Sequence, residues 1–242
     1  MNRLKNEWRR LYAVGEDGGL VGEGGVVRAA VIELGRPADW GQLAPLWQGV
    51  QIDLDWPAPG ISVNGKDAYQ LWFSLPRAVP ADQAQALMRE LMRRFLPEVP
   101  PSRLACWPQV KDGQVEHAPA VPRAMLGGER WSAFVAPDLA AVFGDEAALD
   151  LPPGDEAQAD QLARLSTIPA QALAALPWPP QVQDTVVRPV QAQTDSACSL
   201  RPAPMYGFQD PHQFLLAVMN DPSVDMAQRI EAAKVLLMAK QP

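Results

Sequence analysis

The chain has 242 residues, 48% of them hydrophobic, enough to bury the core of one ordinary domain with an appendage. Its net charge of -7 argues against broad electrostatic attraction to nucleic acid, which relies on Lys and Arg neutralising phosphates, but leaves room for a local basic groove. Met1 to Arg10 lacks the apolar core of a secretory signal and no apolar run approaches membrane-spanning length, so a soluble cytoplasmic protein with no membrane partner is expected.

Leu4, Trp8 and Leu11 recur at helical spacing, with Glu7, Arg9 and Arg10 on the other side, and predict a short amphipathic helix. The glycine-rich residues 15 to 25 break it. Val26 to Leu34 is β-branched and framed by Gly25 and Gly35; it reads as a strand that puts Glu33 near an edge. Asp39 can cap a helix carrying Leu43, Leu46, Trp47, Val50 and Leu54 on one face, with Pro45 near its first turn. Pro57 and Pro59 end that segment, and a small-polar loop follows from Ala58.

From Tyr69 the period becomes two. Tyr69, Leu71, Phe73 and Leu75 point one way and Gln70, Trp72 and Ser74 the other, which predicts a strand with two distinct faces. Ala84, Leu87, Met88, Leu91, Met92 and Phe95 then form the clearest amphipathic helical stripe of the chain. Arg89, Arg93 and Arg94 back it, as a solvated face or as a strip for phosphates. Leu104 to Trp107 and Val110 to Val115 read as strand fragments, with Asp112-Gly113 as a tight turn. Trp131 to Val135 is a further strand, and Asp155 to Leu165 a helix whose apolar pattern is closed by Pro169.

These elements predict an α+β fold over residues 1–175, with a mixed, largely antiparallel sheet packed against helices. Residues 176–208 are rich in Pro, Gln, Ser and Thr and read as a linker. Residues 209–242 read as a helical hairpin. Pro211 opens a helix with Phe214, Leu215 and Val218, Asp221-Pro222 turns the chain, and Met226 to Met238 forms a second helix. Ile230, Ala233, Val235 and Leu237 cannot be covered by so small a unit. A protein partner or self-association through the hairpin is therefore expected.

Cys106 and Cys198 lie far apart with no export signal, which excludes a disulfide framework as the expected organisation. His117 and His212 stand at no metal-ligand spacing from either cysteine and read as surface or capping residues. Ser62, Ser74 and Ser132 lack a glycine-framed nucleophile elbow. Gly127-Gly128 and the glycines of 18 to 25 lack the lysine of a phosphate loop.

The order strand, helix, Ile61-Ser-Val-Asn-Gly-Lys-Asp-Ala-Tyr-Gln-Leu-Trp-Phe-Ser-Leu75, Val79-Pro80 and helix resembles the archaeo-eukaryotic primase and primase-polymerase superfamily. The resemblance extends through Trp131 to Asp138 and the helix ending near Leu165. It implies a primase-polymerase-like domain with an RRM-like core, paired metal-binding acids on an early strand, a nucleotide-contacting histidine after a Ser/Gly loop, and a later acid. This chain departs at each step. Glu33 is followed by Gly35 where the second acid is expected, Gln70 takes the histidine's place, and Ala136 stands where the third acid would be, with Asp138 a displaced substitute. Gln70 can hydrogen-bond a phosphate but supplies neither charge nor a proton.

The resemblance thus implies a noncatalytic binding or scaffolding protein with a vestigial site at Glu33, Gln70 and Asp138 and no cofactor. Asn64, Lys66, Gln70, Trp72, Ser74 and Arg130 are its candidate binding face for a nucleotide or single-stranded nucleic acid. The alternative is a metal-dependent nucleotidyltransferase using Glu33, Asp138 and Asp53 or Asp55, the only reading that calls for a divalent metal. Asp210 to Pro222 and Arg229 to Lys234 resemble a helical segment of phage terminase small subunits, which implies a phage or mobile-element setting.

Overall fold

Pairing between two long antiparallel strands organises the domain. In the computed structural model, which describes residues 2–174 other than Glu16 and Asp145, β1 (Val26–Gly35) lies beside β3 (Ala68–Pro80), with Glu33 opposite Gln70 and Val31 opposite Trp72. The register shifts between Val27 and Ala29. β2 (Gly60–Val63) continues the sheet from β3, and β8 (Trp131–Val135) continues it from β2. β4 (Leu104–Trp107) pairs on the outer side of β1, and β7 (Arg123–Ala124) on the outer side of β8. The result is a six-stranded antiparallel sheet in the order β4-β1-β3-β2-β8-β7.

Helices complete an α+β fold. α2 (Trp40–Ile52) starts where Asp39 accepts a hydrogen bond from the Gln42 backbone N–H at 3.1 Å, an N-cap that offsets the loss of helical partners at the first turn. α3 (Ala81–Phe95) follows β3 directly. Leu43, Leu46, Val50, Leu87, Met88 and Leu91 bury one face of the sheet together with Ile32, Leu34, Tyr69, Leu71 and Phe73. The strand alternation sends Ala29, Val31, Trp72 and Phe134 to the other face. There they pack with Leu11 and Tyr12 at the end of α1 (Arg3–Leu11) and with Leu162 of α4 (Asp155–Ala163).

α1 and α4 clasp each other across 153 residues of sequence: Asn2 Nδ2 donates to Asp155 at 2.8 Å, and Arg3 pairs with Asp160 at 2.6 Å. These exposed contacts contribute little on their own. The apolar seam beneath them holds the clasp. The small hairpin of β5 (Gln109–Lys111) and β6 (Gln114–Glu116) turns through Asp112 and Gly113, both at positive φ as a tight type I′ turn requires.

Several expectations need correction. The small-polar loop from Ala58 contains β2, because Gly60, Ile61, Ser62 and Val63 are all buried between β3 and β8. Glu33 is not at an edge, since β4 covers the outer side of β1. Pro169 opens rather than closes a helix: its carbonyl accepts from Leu173 N–H, and α5 (Ala170–Ala174) follows. His117 is not a surface residue; its Nε2 lies 3.0 Å from the Ala29 carbonyl and its ring sits 6.2 Å from that of Trp72. The linker at 176–208, the hairpin at 209–242, Cys198 and His212 lie outside the described residues. No helix among the described residues is long and apolar enough to cross a membrane.

Gln158 of α4 shows how tightly the second layer is tied to the sheet. Its buried amide accepts from Phe134 N–H at 2.8 Å and donates to the Phe134 carbonyl at 3.0 Å, the two bonds a neighbouring strand would make. Gln158→Ala orphans both backbone groups and is expected to destabilise the domain by about 2–4 kcal/mol in urea unfolding. A loss below about 0.5 kcal/mol, the range of ordinary surface substitutions, would show that water replaces the amide without cost.

Candidate functional site

The transverse row Glu33, Gln70, Ser62 and Phe134 runs across four strands, and its first three members are polar. They are bonded in series. Trp72 Nε1 donates to Ser62 Oγ at 2.9 Å and to Gln70 Oε1 at 3.3 Å, Ser62 Oγ donates to Gln70 Oε1 at 3.0 Å, and Gln70 Nε2 donates to Glu33 Oε2 at 2.8 Å. Two donors on the Gln70 oxygen leave only one amide orientation that satisfies all of them, with nitrogen toward Glu33.

Glu33 ends this series at the floor of a cavity of about 180 Å³. Trp107, Val121 and Met125 wall it, Ser132 joins the floor, and Asn64, Lys66 and Arg123 stand at the mouth. Lys66 and Arg123 are exposed. The mouth is shaped by Asn64, whose Oδ1 accepts backbone N–H bonds from Lys66, Asp67 and Ala68 at 2.8, 3.0 and 3.1 Å. On the far wall, Ser132 Oγ accepts from Arg123 N–H at 2.9 Å and so fixes where the Arg123 side chain begins. Gly65 keeps this wall close: it sits at φ +87, and a Cβ there would meet Met125 at 2.7 Å.

Burial pushes the Glu33 carboxyl above the ordinary carboxylate range. The Gln70 hydrogen bond opposes that shift, nearby Asp67 adds to it, and Asn64 and Arg36 oppose it. Gly35, two residues along the same face, has no room for any side chain, since a Cβ would meet Ala68 Cβ at 2.6 Å and the Asp67 carbonyl at 2.9 Å. A second carboxylate cannot stand there without moving the β1–β3 ladder.

The expected site residues separate into two groups. Glu33, Gln70, Asn64 and Lys66 come together at the cavity. Trp72 is 1% exposed beneath Trp8 and Tyr12, and Ser74 donates to the Leu11 carbonyl at 2.6 Å and lies 2.9 Å from Thr167 Oγ1, so α1 and the chain after α4 cover both. Arg130 pairs with Glu146 at 2.9 Å and does not line the cavity. Gln70 is itself 3% exposed with its oxygen taken, so it serves as internal support more than as a ligand contact.

The acids of the alternative reading do not converge. Asp138 is exposed beyond the end of β8, where the chain leads into the turn Ala140–Phe143 on the α2–α3 side; the Tyr69 hydroxyl donates to the Ala140 carbonyl there at 2.6 Å. Asp53 ends α2 and pairs with Arg94 at 3.3 Å, and Asp55 follows it at positive φ, both on the opposite side of the sheet from Glu33. Among the described residues no three His, Cys, Asp or Glu side chains are grouped to hold a metal. Arg123 and Met125 were not foreseen as site residues, because they reach the cavity from an arm between β4 and β8 that carries no sequence pattern; Trp107 ends β4 and Ser132 lies on β8, short strands whose sequence does not mark the face that lines the cavity. No protein-family model matches the chain, and no curated protein matches it.

A raised carboxyl has a signed consequence. Between the unfolded and folded pKa of Glu33 the folded state holds the extra proton, so the stability this residue contributes is present at acid pH and lost as pH rises through that window. Glu33→Gln removes the titration. Measured by urea unfolding from about pH 4 to about pH 7, the variant is expected to gain on the wild type as pH rises and then to keep a constant difference from it. A pH-independent difference would mean that the carboxyl titrates normally.

Proposed function

We propose that the chain is a noncatalytic binding protein with a primase-superfamily-like domain, and that its cavity takes one nucleotide unit, free or within a single strand. The observation that carries this reading is a neutral-to-acidic polar floor beneath a cationic mouth: Glu33 and Gln70 below, Lys66 and Arg123 exposed at the same opening. A base edge carrying N–H donors suits the Glu33 carboxylate, Trp107 offers an aromatic wall, and the two cations suit a phosphate. The cavity is smaller than the roughly 300–1,000 Å³ that encloses a whole ligand, which favours a single base with its phosphate outside.

The steric closure of Gly35 and the separation of Asp138, Asp53 and Asp55 from Glu33 support the noncatalytic half of the proposal. Two-metal nucleotidyl transfer needs several oxygen ligands in one place. A phage or mobile-element setting, and a protein contact or self-association through residues 209–242, extend the proposal from sequence resemblance and composition.

Calorimetry on the full chain with nucleoside triphosphate and with a short oligothymidylate, each with and without manganese, tests the reading alongside a primer-extension assay. Heat without manganese and no incorporation are expected, with Lys66→Ala and Arg123→Ala each weakening binding roughly tenfold through loss of a charge-assisted contact. Manganese-dependent incorporation would replace this reading with the nucleotidyltransferase one. Absence of heat with either ligand would leave a scaffold that binds no nucleotide.

A further inference from the structure

A second concave surface lies away from the polar cavity, on the α3 side of β4. It is an open groove of about 730 Å³ in which Met92 and Leu96 face Leu104, Ala105 and Cys106, with Val110 at one end. Adjacent strand residues point to opposite faces of a sheet, so a groove touched by three consecutive residues runs along the edge of β4 and not over one face. That edge is unpaired: among the described strands β4 bonds only to β1, and β1 lies on its other side.

Charge distinguishes this groove from the rest of the chain. Arg89, Arg93 and Lys111 line it, and no Asp or Glu does, in a protein of net charge -7. Arg93 is held by Glu90 on its own helix at 2.8 Å and Lys111 by Glu116 at 3.0 Å, both exposed contacts that a partner can outcompete. Arg89 is exposed and makes no ion pair among the described residues. It lies near enough to the groove floor for its charge to act on the Cys106 thiol.

We propose that the β4 edge docks an extended segment of a partner protein, apolar at its centre and acidic at its flanks, as an added antiparallel or parallel strand. An exposed edge offers main-chain donors and acceptors as a template, and its flanking pockets select alternate side chains. Here the apolar side chains of the segment enter between Met92 and Leu96, and the acidic flanks meet Arg89, Arg93 and Lys111. The groove and the polar cavity share no lining residue, although they border the same strand: Cys106 faces one and its neighbour Trp107 lines the other.

A fluorescein-labelled peptide with a Val-Thr-Val-Thr-Val centre and glutamate flanks is the probe, read by anisotropy with the full chain. Binding is expected, weakened on the order of tenfold by Arg89→Glu and lost when alternate backbone nitrogens of the peptide are methylated. In a Cys198→Ser background the peptide should also slow alkylation of Cys106. Equal binding of the methylated peptide, equal binding by Arg89→Glu, or equal binding of a lysine-flanked peptide would each overturn the proposal. So would no binding at all, or protection of Cys106 by decanoate but not by the peptide, which would make the groove a small-amphiphile site.

Discussion

β3 is buried on both faces from Ala68 to Leu75, and most of the domain follows from that constraint. A strand with a solvated face can leave its polar side chains to water; this one cannot, and each must find a partner inside the protein. Ser74 takes the Leu11 carbonyl and Thr167, which ties the end of α1 and the chain beyond α4 to the middle of the sheet. Gln70 takes Glu33, Ser62 and Trp72, which ties together β1, β2 and β3. Polar groups usually described as surface decoration here specify which segments may cover the sheet.

The same constraint removes one use of the fold. An open sheet in proteins that bind single strands stacks bases on exposed aromatic rings. In this chain the rings stack on each other: Tyr12 lies parallel to Phe134 at 6.1 Å, and Trp8 meets Trp72 edge-on at 5.4 Å. α1 supplies Trp8 and Tyr12, so the platform is filled from within the domain. Among the described residues, a stretch of that face which α1 does not reach stays open, where Glu33 ends the series of hydrogen bonds.

Periodic signals made much of this legible in the sequence. The alternation from Tyr69 and the stripe from Ala84 to Phe95 predicted β3 and α3, and Asp39 and Asp112-Gly113 marked a cap and a turn that the structure contains. β2 does not show in the sequence because Gly60-Ile-Ser-Val63 is too short to show a period and directly follows Pro57 and Pro59, while its strand character comes from burial between β3 and β8. Glu33 and Gln70 of the site were legible because they lie on patterned strands, and Asn64 and Lys66 because the small-polar composition of the loop before β3 marked it. Trp72 and Ser74 shared that pattern, yet nothing in their alternation tells a solvent face from one covered by a helix 60 residues away. Arg123 and Met125 sit on an arm with no pattern at all, and only the turn that pairs β7 with β8 brings them to the cavity.

β4 separates two surfaces with opposite chemistry although it is four residues long. Trp107 turns toward the polar cavity and Cys106 toward the apolar groove, and Ala105, just before them, lies directly opposite Glu33 in the β1–β4 ladder. A strand of this length holds its place by few hydrogen bonds, so its position rests mainly on the side chains it buries. Pairing along its outer edge would add main-chain bonds to the ladder row that contains Glu33. Both surfaces are borders of one strand, so a segment added at the groove would brace the ladder row beneath the cavity.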